Sequence, residues 1–171
     1  IKYTFNSFGG IEKEETFKPN GDLYSINQTF YNDHEQVEET TFSSCGKSKY
    51  GLRTYQVQNR NIFTYDSSGN AIKEEFYDGG DNLVHSYVCT YDSENNQTLM
   101  ISYNKEDSVL SKQAFRYDNK GNKTEFIYYD SKNEITSHET TEYHENGLPK
   151  EEKLLKNGIF YEIRRFRYEY Y

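Results

Sequence analysis

The sequence predicts an all-β fold, an antiparallel meander of about 12 strands built from 26-residue double-hairpin repeats. Three observations carry this expectation. An aromatic residue followed by a short Asp-, Asn-, Ser- and Gly-rich segment recurs along most of the chain. The recurrences keep a regular rhythm, a shorter step alternating with one two positions longer. Strand formers dominate, with 18 Tyr and 11 Phe, against only two Ala (Ala71 and Ala114) to favour helix.

The repeat begins at Phe5-Asn-Ser-Phe-Gly-Gly and returns with anchors at Phe17, Tyr31, Tyr65, Tyr77, Tyr91, Tyr103, Tyr117, Tyr129 and Tyr143. Along the numbering the anchors therefore step by 12, 14, 34, 12, 14, 12, 14, 12 and 14. Asx side chains cap local backbone groups, and Gly or Asn tolerates positive φ, so each polar segment is where the chain reverses. A five-residue loop then leaves alternate strands of 7 and 9 residues, such as 71–77 and 83–91. Loops this short make neighbouring strands antiparallel. Phe5, Tyr31, Tyr65, Tyr91, Tyr117 and Tyr143 fall at one end of the strands, called the first end here. Phe17, Tyr77, Tyr103 and Tyr129 fall at the second end.

Each loop sets its anchor opposite the first residue of the next strand. At the second end those partners are Leu23, Leu83, Val109 and Ile135. At the first end they turn polar, with Gln97 and Lys123 facing Tyr91 and Tyr117. Because every step is even, strict alternation puts all anchors on one face, together with Tyr87, Cys89, Leu99, Ile101, Phe115 and Ile127. The other face holds Ile72, Phe76, Val84, Val88, Leu110, Phe126 and Tyr128. A sheet partly apolar on both faces reads as a curled or twisted single sheet with the anchors inward; a two-layer sandwich and a barrel stay open as alternatives. The whole chain, 1–171, reads as a single repeat domain with an irregular insertion around 43–64. There the loop Ser43–Gly51 is too long by four residues and the following strand by about five, which calls for a bulge, a bend or an extra short strand.

Several segments carry the core Tyr-Asp-x-x-Gly, above all Tyr65-Asp-Ser-Ser-Gly-Asn and Tyr117-Asp-Asn-Lys-Gly-Asn, with Tyr129-Asp-Ser-Lys-Asn a looser copy. They resemble the YD repeats of Rhs-like toxin-delivery proteins, in which such hairpins build a shell around a cargo. The chain departs from that family in having Asn where Arg usually follows the Gly, and in a 12/14 unit that is shorter than theirs. It also resembles small secreted YD-like proteins of unknown function from gut bacteria. The second resemblance implies an extracytoplasmic location (periplasmic, cell-surface or secreted) and carries no activity. The chain opens at Ile1, inside an expected strand, as a trimmed secreted protein or a fragment would.

The formal net charge of −8 argues against wrapping nucleic acid. No apolar run reaches the ~18 residues of a transmembrane segment. Nothing in the sequence sets the oligomeric state. Asp66-Ser-Ser-Gly69 offers one carboxylate, so turn capping is the better reading than calcium binding. His34, His85, His138 and His144 lack zinc spacing and read as surface residues. Cys45 and Cys89 read as partly buried thiols rather than a disulfide. Glu14/Glu15, Glu74/Glu75 and Glu151/Glu152 are strand neighbours and point to opposite faces, so they do not converge as catalytic pairs. No nucleophile has a visible base.

The sequence therefore implies no enzyme, no cofactor and no metal. The terminal run from Arg164 to Tyr171 reads as an edge strand protected by charge. The expected role is a binding or structural module whose partner is a carbohydrate or a protein. Its candidate ligand contacts are Tyr65, Tyr91, Tyr117 and Tyr143, expected to be more exposed than Tyr77, Tyr103 and Tyr129. The alternatives are a piece or relative of a YD-type shell enclosing a partner protein, and a small hydrolase with a loop-assembled site.

Overall fold

A computed structural model describes residues 1–48 and 50–168. They form thirteen strands and, among the described residues, no helix. In order these are β1 (Lys2–Phe5), β2 (Ile11–Phe17), β3 (Leu23–Tyr31), β4 (Val37–Lys47), β5 (Arg53–Tyr65), β6 (Ala71–Asp78) and β7 (Leu83–Tyr91). They continue with β8 (Gln97–Asn104), β9 (Val109–Tyr117), β10 (Lys123–Tyr129), β11 (Ile135–Tyr143), β12 (Pro149–Lys156) and β13 (Ile159–Arg165). The strands pair in chain order as one antiparallel meander, from edge strand β1 to edge strand β13, so the sheet is open rather than a barrel. The chain divides into two compact units, Ile1–Ser86 and Tyr87–Tyr171.

The loops follow one pattern. Counting from the anchor, the N–H of residue +1 donates to the carbonyl of +5, and the N–H of +4 donates to the carbonyl of +1. In the Tyr65 loop these bonds are Asp66 to Asn70 (2.9 Å) and Gly69 to Asp66 (3.1 Å). Residue +4 has positive φ in every repeat loop. It is Gly69 (88°) and Gly121 (79°), but also Glu35, Asp81, Asn95, Asp107 and Asn133. A left-handed residue closing a tight β-turn redirects the chain into the next strand. The final connection is shorter, a two-residue Asn157-Gly158 turn with both residues at positive φ.

Each anchor pairs with the first residue of the next strand, as the loop length requires: Phe17 with Leu23, Tyr31 with Val37, Tyr103 with Val109, Tyr117 with Lys123. The next pair, however, skips a residue. Tyr129 pairs with Ile135 but Tyr128 with Ser137, which leaves Thr136 as a β-bulge. The same skip follows Thr4, Thr16, Phe30, Thr64, Ser102 and Glu142.

These bulges overturn the expectation that all anchors share a face. A bulge shifts the side-chain alternation by one, so successive anchors point to opposite sides. In the first unit Phe5, Tyr31 and Tyr65 share one face, and Phe17 and Tyr77 the other. In the second unit Tyr117 and Tyr143 lie with Phe115, Phe126 and Tyr128, while Tyr103 and Tyr129 lie with Leu99, Ile101 and Ile127. Leu99, Ile101 and Ile127 are thus separated from Phe115, which the alternation had grouped with them. Leu110 is itself a bulge residue and stays 46% exposed.

Distributing rings over two faces spreads the core thinly. Leu23 and Ile26 are the buried hydrophobic residues among those described, and the other apolar side chains are half-buried or exposed. Half-buried rings still pack, as with Phe115 and Phe126, whose centroids lie 5.4 Å apart beneath the Lys123 ammonium.

The irregular region proves to be a lengthened hairpin. Residues 43–47 continue β4, and the chain reverses through 48–52 with the repeat-loop hydrogen bonds, Ser48 to Leu52 and Gly51 to Ser48. Lys49 of this loop lies outside the described residues. The expected over-long loop is therefore strand, and the odd length is absorbed by a bulge at Gln58, between the pairs Phe42–Asn59 and Ser43–Val57. The extension runs close to the Tyr77 loop. A Cβ on Gly79 would collide with the Val57 carbonyl oxygen, so this position requires glycine.

Candidate functional site

The loop carboxylates are used within the loops. Asp66 Oδ1 accepts from the Ser68 and Asn70 N–H groups, and Oδ2 accepts from the Asn70 side chain. Asp118 holds Lys120 and Asn122 in the same way. The Asn70 and Asn122 side chains, with the backbone N–H groups, hold these two carboxyls below the usual range, and the Asn82 N–H leads the same effect on Asp78. Asn6, Asn32 and Asn104 make the +5 contact with an amide oxygen instead. The charge is thus not required for this contact, and in the Lys18 and His144 loops an Asn at +3 accepts from the +5 N–H instead.

The first-end tyrosines have a role that the sequence reading missed. The Tyr31 hydroxyl donates to the Ile11 carbonyl (3.0 Å), Tyr65 to Val37 (2.7 Å), Tyr117 to Gln97 (3.0 Å) and Tyr143 to Lys123 (2.8 Å). In each case the acceptor is the first residue of the neighbouring strand, just beyond the last ladder pair. The β10–β11 ladder begins at Glu125–Thr140, for example, which leaves the Lys123 carbonyl outside it. A ring at the strand end fills the opening between two hairpins, and its hydroxyl satisfies that carbonyl. Burial pushes the Tyr65, Tyr117 and Tyr143 phenols above their ordinary range, in keeping with neutral donors.

Tyr168 makes the same bond to the Pro149 carbonyl (3.0 Å). It falls one position short of a full double repeat after Tyr143. The two-residue β12–β13 turn broke the spacing that would have revealed it.

The expected difference in exposure between the rows is absent. Tyr65, Tyr91, Tyr117 and Tyr143 are half-buried, and so are Tyr77, Tyr103 and Tyr129. What differs is the contact. Tyr77 lies beneath the Arg60 guanidinium, 4.8 Å from ring centroid to Cζ, while Arg60 also reaches Asp81 (2.5 Å). Tyr117 does face the polar Lys123, as expected, yet its ring is half-buried because it sits at the strand end with its hydroxyl on the Gln97 carbonyl.

Open clefts lie between neighbouring first-end loops. In the first unit one is lined by Asn6, Phe8, Lys13, Tyr31 and Asn32, with Phe8 edge-on to Tyr31 at 5.2 Å. In the second unit one is lined by Asp92, Glu94, Tyr117, Asp118 and Lys120, and the next by Asp118, Lys120, Tyr143, His144 and Glu145. Lys120 bridges the latter by donating to the Glu145 carbonyl (2.7 Å). Of the proposed contact residues, Tyr117 and Tyr143 line clefts, Tyr65 donates to the Val37 carbonyl, and Tyr91 is half-buried at the end of β7.

The other singled-out residues are dispersed. His138 contacts Glu125 (2.7 Å), itself held by Arg116 (3.0 Å); His85 stacks on Phe76, and His144 meets Tyr168 edge-on. Among the described residues no three His, Cys, Asp or Glu side chains are grouped to hold a metal ion. Cys45 and Cys89 are half-buried and form no disulfide, and the Gln97 amide donates to Cys89 Sγ. No helix among the described residues is long and apolar enough to cross a membrane.

No protein-family profile and no curated protein sequence matches this chain. Several solved structures align with the chain. A TcdB2-TccC3 crystal structure aligns with 87% of the chain at 16% identity and a TM-score of 0.46, and the chain spans 9% of that polypeptide. A porin-like protein from Bacteroides uniformis aligns with 89% of the chain at 10% identity and a TM-score of 0.34, over 92% of its own length. A protein of unknown function from Bacteroides fragilis aligns with 87% at 11% identity and a TM-score of 0.33, over 96% of its length.

Proposed function

We propose that this protein is a non-enzymatic, extracytoplasmic repeat scaffold that binds a carbohydrate or a protein through its first-end loops. One observation carries the reading: the repeat separates structural positions from presented ones. Loop positions +1, +4 and +5 are occupied by hydrogen bonds and backbone geometry. Positions +2 and +3 are exposed and differ in chemistry from loop to loop: Ser7-Phe8, Asp33-His34, Ser67-Ser68, Ser93-Glu94, Asn119-Lys120 and Glu145-Asn146 along the first end. A constant frame with varied tips is how repeat proteins build recognition surfaces. The clefts between these tips, floored by tyrosine rings and edged by carboxylates, amides and Lys120, suit sugar hydroxyls or a polar protein surface.

The test is titration of a panel of soluble polysaccharides and surface proteins against the intact chain. An Asn119→Ser, Lys120→Ser and Glu145→Ser variant, which leaves the loop frame in place, should lose binding while its melting temperature stays near that of the parent. Binding that survives this change defeats the assignment to the second-unit clefts. Turnover of any panel member defeats the non-enzymatic reading. Cell fractionation tests the location independently.

A further inference from the structure

The sheet has a step in its interior, within the first unit. β5 outruns β6: the β5–β6 ladder ends at Asn59–Asp78, while the β4–β5 ladder continues to Lys47–Arg53. Residues 53–57 therefore have β4 on one side and no strand on the other among the described residues. All of them are exposed, Tyr55 by 56% and Val57 by 43%. Two hairpins of unequal length create this edge, whatever flanks the outer strands. In the terminal run, where charges were expected to protect β13, Arg164 pairs with Glu162 (2.8 and 3.0 Å), and Glu169, Tyr170 and Tyr171 lie outside the described residues.

The hydrogen-bond phase decides which groups the step presents. The Ser48 N–H donates to the Leu52 carbonyl (2.7 Å). Hydrogen-bonded and non-hydrogen-bonded pairs alternate from there, so Gly46–Thr54 and Ser44–Gln56 bond to each other. Arg53, Tyr55 and Val57 then direct their N–H and C=O groups away from β4. Gly79 of the Tyr77 loop lies against the Val57 carbonyl and closes the inner end of the step. Arg53 and Tyr55 keep their outward groups open, with both side chains on one face. Edges are commonly blunted by charge, and the charge here has a single sign. No Asp or Glu occurs from Thr40 to Tyr65, in a chain with 28 acidic residues. Lys47 reaches Asp22 (3.7 Å), whereas Arg53 forms no ion pair among the described residues. A second copy does not fit. Setting its Tyr55 antiparallel to Arg53 would bring its Gly51 turn opposite Val57, where Gly79 already lies.

We propose that the step between β5 and the Tyr77 loop docks an extended, acidic segment of a partner protein, added antiparallel to β5 as a short extra strand. The segment starts opposite Gln56, beside Gly79, and runs outward past the β4–β5 turn. Its backbone bonds to the outward groups of Tyr55 and Arg53. A β-branched side chain lies against the Tyr55 ring, and a carboxylate lies against Arg53. This site is at the second end of the strands, so it stands independently of the first-end loops.

The probe is a blocked peptide, acetyl-Thr-Val-Thr-Glu-Thr-Glu-amide, titrated to millimolar concentration into the isotope-labelled 171-residue chain. Amide hydrogen exchange read by NMR reports where it binds. The peptide should slow exchange at Arg53 and Tyr55 and leave Thr54 and Gln56, already bonded to β4, unchanged. Arg53→Glu should weaken binding about tenfold, and replacing both Glu of the peptide by Lys should recover most of it. Tyr55→Pro, which removes an outward N–H and no bond to β4, should abolish binding and serves if the charge variant fails to fold. Far-UV circular dichroism confirms that each variant is folded. A chain that leaves both amides unprotected, or binding indifferent to Arg53→Glu, would overturn the proposal. Protection of the same amides by self-association without peptide would overturn it as well, because the occupant would then be a second copy.

Discussion

The two ends of the strands use the same loop and give its aromatic residue different work. At the first end Tyr117 and Tyr143 fill the gap between hairpins and donate a hydroxyl to a carbonyl outside the ladder. At the second end Tyr103 and Tyr129 pair with Val109 and Ile135, and Phe17 serves in the equivalent position without a hydroxyl. The ring contacts differ as well: at the second end Tyr77 lies beneath the Arg60 guanidinium. A repeated motif therefore does not imply a repeated role, because the role depends on what each ring meets across the strand.

Ring deletion tests the comparison with the largest effect. Tyr117→Ala and Tyr129→Ala should each cost about 2 kcal/mol, below the usual range for buried aromatics because both rings are only half-buried. Removing the hydroxyl alone should separate the ends. Tyr117→Phe strands the Gln97 carbonyl and should cost about 1 kcal/mol, while Tyr129→Phe should be nearly neutral. Chemical denaturation of the four variants measures this, and equal costs for the two Phe variants would erase the distinction.

The loop frame should behave alike at both ends. Gly121 has φ 79° and open space around its Cα, so any penalty there is one of backbone conformation alone. Gly121→Val should destabilise by about 1 kcal/mol. Gly121→Asn should cost much less, since Asn95 and Asn133 hold this position in first-end and second-end loops. Equal melting midpoints for the Val variant and the parent would refute the turn assignment.

The smallest expected effect concerns acid. Asp66 and Asp118 at the first end and Asp78 at the second have lowered pKa values, so folding favours their ionised forms. Their contribution is complete above the unfolded carboxylate range near pH ~4 and is lost as pH falls through the lowered values. Asp66→Asn and Asp78→Asn should each lower the melting temperature slightly near neutral pH, where the ionised form contributes, and reduce its decline below about pH 4. A melting temperature that falls sharply at neutral pH in one variant only would show that the two ends do not share a frame.

Much of the fold was legible because it is encoded locally. Asx at +1, a left-handed residue at +4 and Asn at +5 are properties of five consecutive residues, and the 12/14 spacing then gives strand lengths and order. The pairing of each anchor with the first residue of the next strand follows from loop length alone. Face assignment was not legible, because the bulge after each loop has no marker residue: Thr136, Leu110 and Glu38 share no chemistry. Nor was the hydroxyl bond, since its acceptor is a distant backbone carbonyl, which any residue type supplies.

The sequence by itself determined the turns, the strand lengths and the antiparallel order, because each depends on backbone preferences and short-range hydrogen bonds. Tertiary structure decided which face each tyrosine takes, which carbonyl it satisfies, and that Gly79 must stay bare beside the extended β4–β5 hairpin. These are set by cross-strand register, and a shift of one residue in register reverses every side chain without changing a letter of the sequence.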